Sequence, residues 1–261
     1  MFETLTIEHV GPVATVWMDR PDVFNAFNEK LIDELTRACQ LLEQDVDVRV
    51  LVLAGRGPHF SAGADLNWMR RAALASEQDN LEDARRFARM LRTLSSLSKP
   101  TIARVQGAAL GGGTGLTAAC DMAVACVDAV FSTSEVKFGI IPAVISPYVL
   151  RAIGPRQALR YFQSAEQISA ERAMAIGLVH EVAPLELLDA AVAALVKPLL
   201  AGGPLAQKAT KELIAAVQCQ PLDDRTIEDT AQRIARQRRT DEAREGVSAF
   251  FDKRRPAWMN Q

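Results

Sequence analysis

The sequence is poor in the residues that build metal sites, disulfide scaffolds and membrane spans. Its four cysteines, Cys39, Cys120, Cys126 and Cys219, form no CxxC pair, and its three histidines, His9, His59 and His180, are scattered, so no metal site is expected. Nothing approaches the roughly 18 consecutive apolar residues of a membrane-spanning helix. There is no excess of one charge either: 30 Lys and Arg stand against 32 Asp and Glu. The chain therefore has no global pull toward phosphate polymers or anionic lipid, and nucleic acid and membrane are not expected partners. The opening MFETLTIEHV lacks a basic n-region and an apolar h-region, which points to the cytoplasm. No G-x-x-x-x-G-K-[ST] occurs, which excludes a Walker phosphate loop.

What is present is an ordinary globular composition, 49% hydrophobic and 24% charged over 261 residues. A chain of this length can bury about 70 to 75% of its unfolded surface without staples. Short β-branched runs alternate with helical periodicity through the first two-thirds. Strands are predicted at Leu5 to His9, Val13 to Met18, Val48 to Leu53, Thr101 to Val105, Met122 to Cys126 and Val130 to Ser132. One helix opens at Asn28, with Ile32, Leu35, Cys39 and Leu42 on one face; another carries Phe87, Met90, Leu91, Leu94 and Leu97 and ends before Pro100. This alternation argues for an α/β fold. After about Val182 the strands stop, and three or four helices follow, separated by Gly202, Gly203, Pro221 and Gly246. Residues 1–200 are read as the core and 201–261 as a helical appendage. Its apolar stripes, Ile227, Ala231, Ile234 and then Val247, Phe250, Phe251, need a partner surface on this core or another subunit.

Two small-residue stretches stand out, Ser61-Ala62-Gly63-Ala64-Asp65 and Gly111-Gly112-Gly113-Thr114-Gly115, both expected at strand-to-helix junctions. The first N–H groups of a helix have no internal partner and sit at its positive end, so two such junctions brought together would give one oxygen two donors, an oxyanion hole. Glycine triplets also serve simply as tight turns, and Asp65 is the natural N-cap of a helix from Leu66 to Ala73. Gly113-Thr114-Gly115-Leu116-Thr117-Ala118 also satisfies the dinucleotide pattern G-x-G-x-x-A, with Glu135 about twenty residues on. The strand expected at Met122 leaves too little room for the long helix that pattern needs. Glu135 lies between Val130–Ser134 and the apolar run Phe138–Ile145. Partial desolvation there would raise its pKa and suit it to carry protons near neutrality.

These residues sit in a larger pattern. Arg20-Pro21-Asp22-Val23-Phe24-Asn25-Ala26-Phe27, then HFSAGADL, KPTIARVQGAALGGG, CDMAVA, the acid of TSEVKFGIIP and AERAMAIGLVHEV resemble, in order and spacing, the enoyl-CoA hydratase/isomerase (crotonase) superfamily over nearly the whole chain. The resemblance implies a spiral of ββα units, a C-terminal helical region that trimerises, a homotrimer or dimer of trimers, and acyl-CoA thioesters as substrates. It implies no cofactor beyond the coenzyme A of the substrate. Carried over by position, Ala64 and Gly112 would supply the oxyanion N–H groups, and Ala26, Ser61, Ala62 and Leu66 would line the CoA path.

The departures bear on the reaction. Hydratases resembling this chain carry a second glutamate shortly after the glycine triplet, where this chain has Gly115, so Glu135 remains alone. The glycine-rich segment that many relatives have after Ile-Pro is here Pro142-Ala143-Val144-Ile145-Ser146-Pro147. Basic residues near the CoA phosphates are replaced by Asp22 and Asn67, leaving Lys253, Arg254 or Arg255 of a neighbouring subunit to be considered. GGGTGL with PAVISP and a lone glutamate looks like the branch of methylglutaconyl-CoA and isohexenylglutaconyl-CoA hydratases of leucine and terpene breakdown. In that reading Gly115 leaves room for an acyl branch, Val144 and Ile145 are its walls, and Arg151 faces a distal carboxylate. A single glutamate is also what many Δ3,Δ2-enoyl-CoA isomerases use. Some superfamily relatives bind RNA, and Arg233, Arg236, Arg238 and Arg239 form a basic cluster, although a solvated helix face is the ordinary explanation of such a cluster.

Overall fold

A computed structural model describes residues 2–259. The chain begins with a hairpin, β1 (Leu5–Val10) and β2 (Val13–Met18), turning at Gly11 with φ +54°. Helix α1 (Glu29–Gln44) starts where Asn28 accepts a hydrogen bond from the Leu31 N–H at 2.9 Å, and it buries Ile32, Leu35, Cys39 and Leu42 as their spacing predicts. Strand β3 (Val50–Gly55) is buried throughout. It begins two residues later than expected because its ladder with β2 opens at Val50 opposite Val13, although Val48 is also buried.

Two helices follow, α2 (Leu66–Leu74) and α3 (Glu77–Ser95). Helix α3 starts well before Phe87, at a Ser76 cap, because its first turns are polar and carry no apolar period. Next come β4 (Thr101–Val105), β5 (Ala108–Leu110), α4 (Gly112–Ala119), β6 (Met122–Cys126) and β7 (Val130–Ser132). Helix α5 (Ser146–Ser164) is broken by Gly154 (φ 72°, ψ 164°) just before Pro155. The strands β8 (Ile168–Ser169) and β9 (Glu181–Ala183) flank α6 (Ala170–Ala175).

One sheet has the order β1-β2-β3-β4-β6-β9, parallel except for β1 with β2; a second has the order β5-β7-β8. Successive strand pairs β4/β5 and β6/β7 are each split between the sheets and followed by a helix, which is the repeating ββα unit of an α/β spiral. The eight-residue α4, closed off by β6 at Met122, leaves no long helix for a dinucleotide fingerprint.

The chain divides into two compact units. The first runs through Leu97 and resumes over Thr101–Ala194; the second takes Ser98–Pro100 and the chain from Leu195 onward. Among the described residues four α-helices follow, α7 (Leu188–Ala201), α8 (Pro204–Val217), α9 (Asp224–Gln237) and α10 (Asp241–Phe251), and then a 3₁₀ turn at Ala257–Met259. The second unit is pinned by the Glu242 carboxylate, which accepts from the N–H groups of Leu205 and Ala206 at 2.8 Å. Gly246 is not a separator. It lies inside α10, where a side chain would meet the Trp258 ring at 2.9 Å, and the true break is at Thr240, which caps α10. Leu222, Phe250 and Phe251 are each more than three-quarters exposed. Within the basic cluster, Arg233 pairs with Asp229 one turn back at 2.7 Å. Asn260 and Gln261, the end of the predicted appendage, lie outside the described residues.

Candidate active site

The loop Arg20–Phe27 is held in a shape most residues avoid, with φ of 54° at both Phe24 and Asn25. Asn25 tolerates this and anchors it: fully buried, it donates to the carbonyls of Arg56 and His59 at 2.9 Å and accepts from the Arg20 N–H at 2.9 Å. The loop then grips the first small-residue stretch. Ser61 donates its hydroxyl to the Asn25 carbonyl at 2.9 Å, and the Ala62 N–H donates to Phe24 at 2.9 Å. Phe27 donates to the Gly63 carbonyl at 2.7 Å and accepts from the Asp65 N–H at 2.8 Å. Both backbone groups of Phe27 thus engage the neighbours of Ala64. The Ala64 N–H points the other way, and no described residue accepts it.

Asp65 caps α2 as expected, accepting from the N–H groups of Asn67 at 2.9 Å and Trp68 at 3.4 Å. Burial works to raise its carboxyl, but these bonds and the nearby Arg20 guanidinium bring it below the usual carboxylate range. This stretch does not directly follow a strand. It lies at the end of a ten-residue loop, and Ser61 instead pairs with Ala109 of β5.

The second stretch abuts the first through glycine. A side chain on Gly63 (φ +90°) would fall 2.9 Å from the Leu110 carbonyl, and one on Gly113 would fall 2.8 Å from that of Ser61. Gly111, with φ +49°, turns the chain from β5 into α4, so Gly112 is the first residue of that helix and its N–H has no acceptor among the described residues. Two free donors are thereby brought onto adjoining segments. A Phe27–Phe87 pair, with ring centroids 5.4 Å apart, covers this turn: a Gly112 side chain would meet Phe87 at 2.8 Å and Phe27 at 3.0 Å. The Trp68 indole N–H donates to Asp83 at 3.1 Å and so ties α2 to α3, the helix that carries Phe87.

Glu135 opens a short 3₁₀ turn after β7, and its Oε1 would lie 3.2 Å from a side chain on Gly111. Its Oε2 is buried with no hydrogen-bond partner. Burial raises its carboxyl above the usual range, only partly offset by a backbone hydrogen bond. In the apolar run that follows it, Phe138, Ile140 and Ile141 are all more than half exposed, whereas Ile145 is buried.

The structure corrects three expectations about the surroundings. Gly115 leaves no room for an acyl branch: a side chain there would lie 2.3 Å from Cγ2 of Ile145, whose buried side chain fills that place, while Val144 is half-buried beside it. Ser61 offers CoA no free group, since its hydroxyl, N–H and carbonyl are all bonded within the protein. Ser61 and Ala26 are buried, whereas Ala62 is half-buried and Leu66 exposed. Arg254 is taken up by Glu245 at 2.6 and 2.8 Å, which drives the Glu245 carboxyl down to about 2. Arg151 is exposed on α5.

The Gly115–Ile145 fit carries a stability prediction. Gly115→Ala should destabilise by about 1–3 kcal/mol through overpacking, and Ile145→Ala by about 2–5 kcal/mol through a cavity. Combined, the two should cost less than their sum, because one removes the clash of the other; additive losses in denaturant titrations would contradict the contact.

A cavity of about 240 Å³, lined by Trp17, Arg56, Arg104 and Gln106 among others, contains none of these residues. Its guanidinium groups are paired with Glu8 and Asp189. Among the described residues no cluster of His, Cys, Asp or Glu could hold a metal ion, and no helix is long and apolar enough to cross a membrane.

Comparison with known proteins adds the family context. The sequence profile described as enoyl-CoA hydratase/isomerase matches residues 8–261. A solved enoyl-CoA hydratase from Shewanella pealeana superposes with a TM-score of 0.96 at 41% identity, covering 98% of this chain and 96% of that one. The 2,3-dehydroadipyl-CoA hydratase of Escherichia coli is 33% identical, with 97% of each chain covered. The crotonyl-CoA hydratase of Syntrophomonas wolfei is 31% identical over 100% of this chain and 99% of its own.

Proposed function

This chain belongs to the enoyl-CoA hydratase/isomerase family, and we propose that it adds water across the 2,3 double bond of an enoyl-CoA thioester, with Glu135 as its sole acid/base. The observation that carries this reading is the Glu135 carboxylate, which sets Oε1 beside Gly111 and keeps Oε2 buried without a partner. In the reaction, the Glu135 carboxylate takes a proton from water as its oxygen bonds to C3. The electron pair displaced from the double bond moves through C2 onto the thioester oxygen. The N–H groups of Ala64 and Gly112 hold that developing negative charge, in a site where fixed dipoles need no reorganisation. Glu135 then returns its proton to C2, the carbonyl re-forms, and the net change is addition of one water.

Coenzyme A enters as part of the substrate, along a path edged by Ala62 and Leu66. The branched glutaconyl-type acyl group loses its support with the filled space at Gly115, and the substrate is a thioester of the 2-enoyl-CoA class.

Turnover of a 2-enoyl-CoA in ¹⁸O-labelled water tests the reading. The expected result is loss of the conjugated thioester absorbance with labelled oxygen in a 3-hydroxyacyl-CoA product. A second reading, migration of a 3,4 double bond to the 2,3 position, is favoured by the lone acid and by Ile145 filling the space over Gly115. Conversion of a 3-enoyl-CoA to its 2-enoyl isomer without uptake of label would establish it in place of hydration.

A further inference from the structure

The Ala64 N–H can act as a donor only if its peptide is held in one orientation, and this peptide lies on an exposed edge. Phe27 grips both its neighbours, but Phe27 itself sits on a loop with two left-handed residues. One side chain spans this arrangement. The guanidinium of Arg20 donates through one terminal nitrogen to the carbonyl of Ala26, the residue before Phe27, and through the other to Asp65 Oδ2 at 3.1 Å, on the residue after Ala64. Its own N–H is received by Asn25 at 2.9 Å, and both side chains of the pair are shielded, with exposures of 18% and 13%. Asp65 spends its other oxygen on the first turn of α2.

From this geometry we infer that Arg20 is a positioning residue for the reaction, a planar brace whose two bonds lock the Phe27–Ala64 pairing and so aim the Ala64 N–H. The inference rests on the reading of Ala64 as a thioester-oxygen donor. A planar fork is needed, because the two acceptors belong to different chain segments and are met by different nitrogens of one group. Lysine, a point charge with one nitrogen, cannot reproduce that arrangement. Arg20 never touches substrate in this account. Its removal should weaken transition-state stabilisation and leave ground-state binding alone.

The test uses the intact enzyme with Arg20→Gln, Arg20→Lys and Asp65→Asn. Asparagine caps helices as well as aspartate does, so Asp65→Asn removes the ion pair while keeping α2 capped, and it stands in should Arg20→Gln fold poorly. Each variant is expected to lose about 10- to 100-fold in kcat per folded enzyme with KM nearly unchanged, Arg20→Lys losing least. The decisive readout is the carbonyl stretching frequency of a bound saturated short-chain acyl-CoA carrying ¹³C at the thioester carbon. In the unsubstituted protein it should fall relative to free thioester, and in Arg20→Gln and Asp65→Asn it should move part of the way back. An unchanged frequency in those variants, or a loss that appears in KM, overturns the role of Arg20 while leaving the donor assignment intact. Absence of any lowering in the unsubstituted protein overturns the donor assignment itself, and the brace with it.

Discussion

Glu135→Gln is expected to lower kcat by about 10²- to 10⁴-fold, the ordinary worth of a positioned acid/base, while the affinity for free CoA stays close to that of the unsubstituted protein. Glutamine preserves the shape of the side chain and removes its ability to take a proton. Loss should therefore appear in the chemical step and not in binding, and near-normal turnover would reject the assignment. Because the carboxylate is the working form in hydration and burial raises its pKa, the acid limb of kcat/KM against pH should have its midpoint above the ordinary glutamate value of about 4.3. That limb should be missing from the residual activity of the variant.

The same substitution has an expected effect of opposite sign on stability. A carboxyl whose folded-state pKa is raised opposes folding wherever it is charged. The cost is full above the folded pKa, shrinks as pH falls through it, and vanishes below the unfolded value of about 4.3. Glutamine carries no such cost. Thermal unfolding should place the variant above the parent near neutral pH, and the gap should close in acid. A variant less stable at neutral pH would mean that Oε2 has a partner in the folded protein after all.

The second large effect concerns Gly112. Gly112→Pro should reduce kcat/KM by about 10²- to 10³-fold, because proline has no N–H to offer the thioester oxygen. Position 112 is the first residue of α4, where proline is otherwise tolerated. Gly112→Ala is the control: it keeps the N–H but must displace the Phe87 ring, which a new Cβ would approach to 2.8 Å. The alanine variant should lose less than the proline variant, and the difference between them isolates the donor from the crowding. Equal losses would mean that the ring, and not the N–H, is what Gly112 protects.

Much of this was legible along the chain because it depends on local chemistry. The Asn28 and Asp65 caps, the apolar face of α1 and five of the six predicted strands within a residue of their ends follow from side-chain preferences over a few residues. So does the pairing of glycine-rich stretches with helix starts. The strands that escaped notice, β5, β8 and β9, are two or three residues long and too short for alternation to register. The parts that Arg20 and Phe87 play at the site also escaped. Their importance lies in what they meet across the fold, Asp65 and Gly112, and no periodicity announces such a meeting.

By itself, then, the sequence determined the α/β alternation, the lone acid at Glu135 and the two small-residue stretches, since each is written in residue type and short-range spacing. Tertiary structure alone decided that Gly63 and Gly113 let those stretches touch, that Glu135 Oε2 is buried without a partner, and that Ile145 fills the space over Gly115. The physical reason is that vacancy, burial and the direction of an N–H are properties of neighbours in space. Residues 115 and 145 become neighbours only when α4 packs against α5.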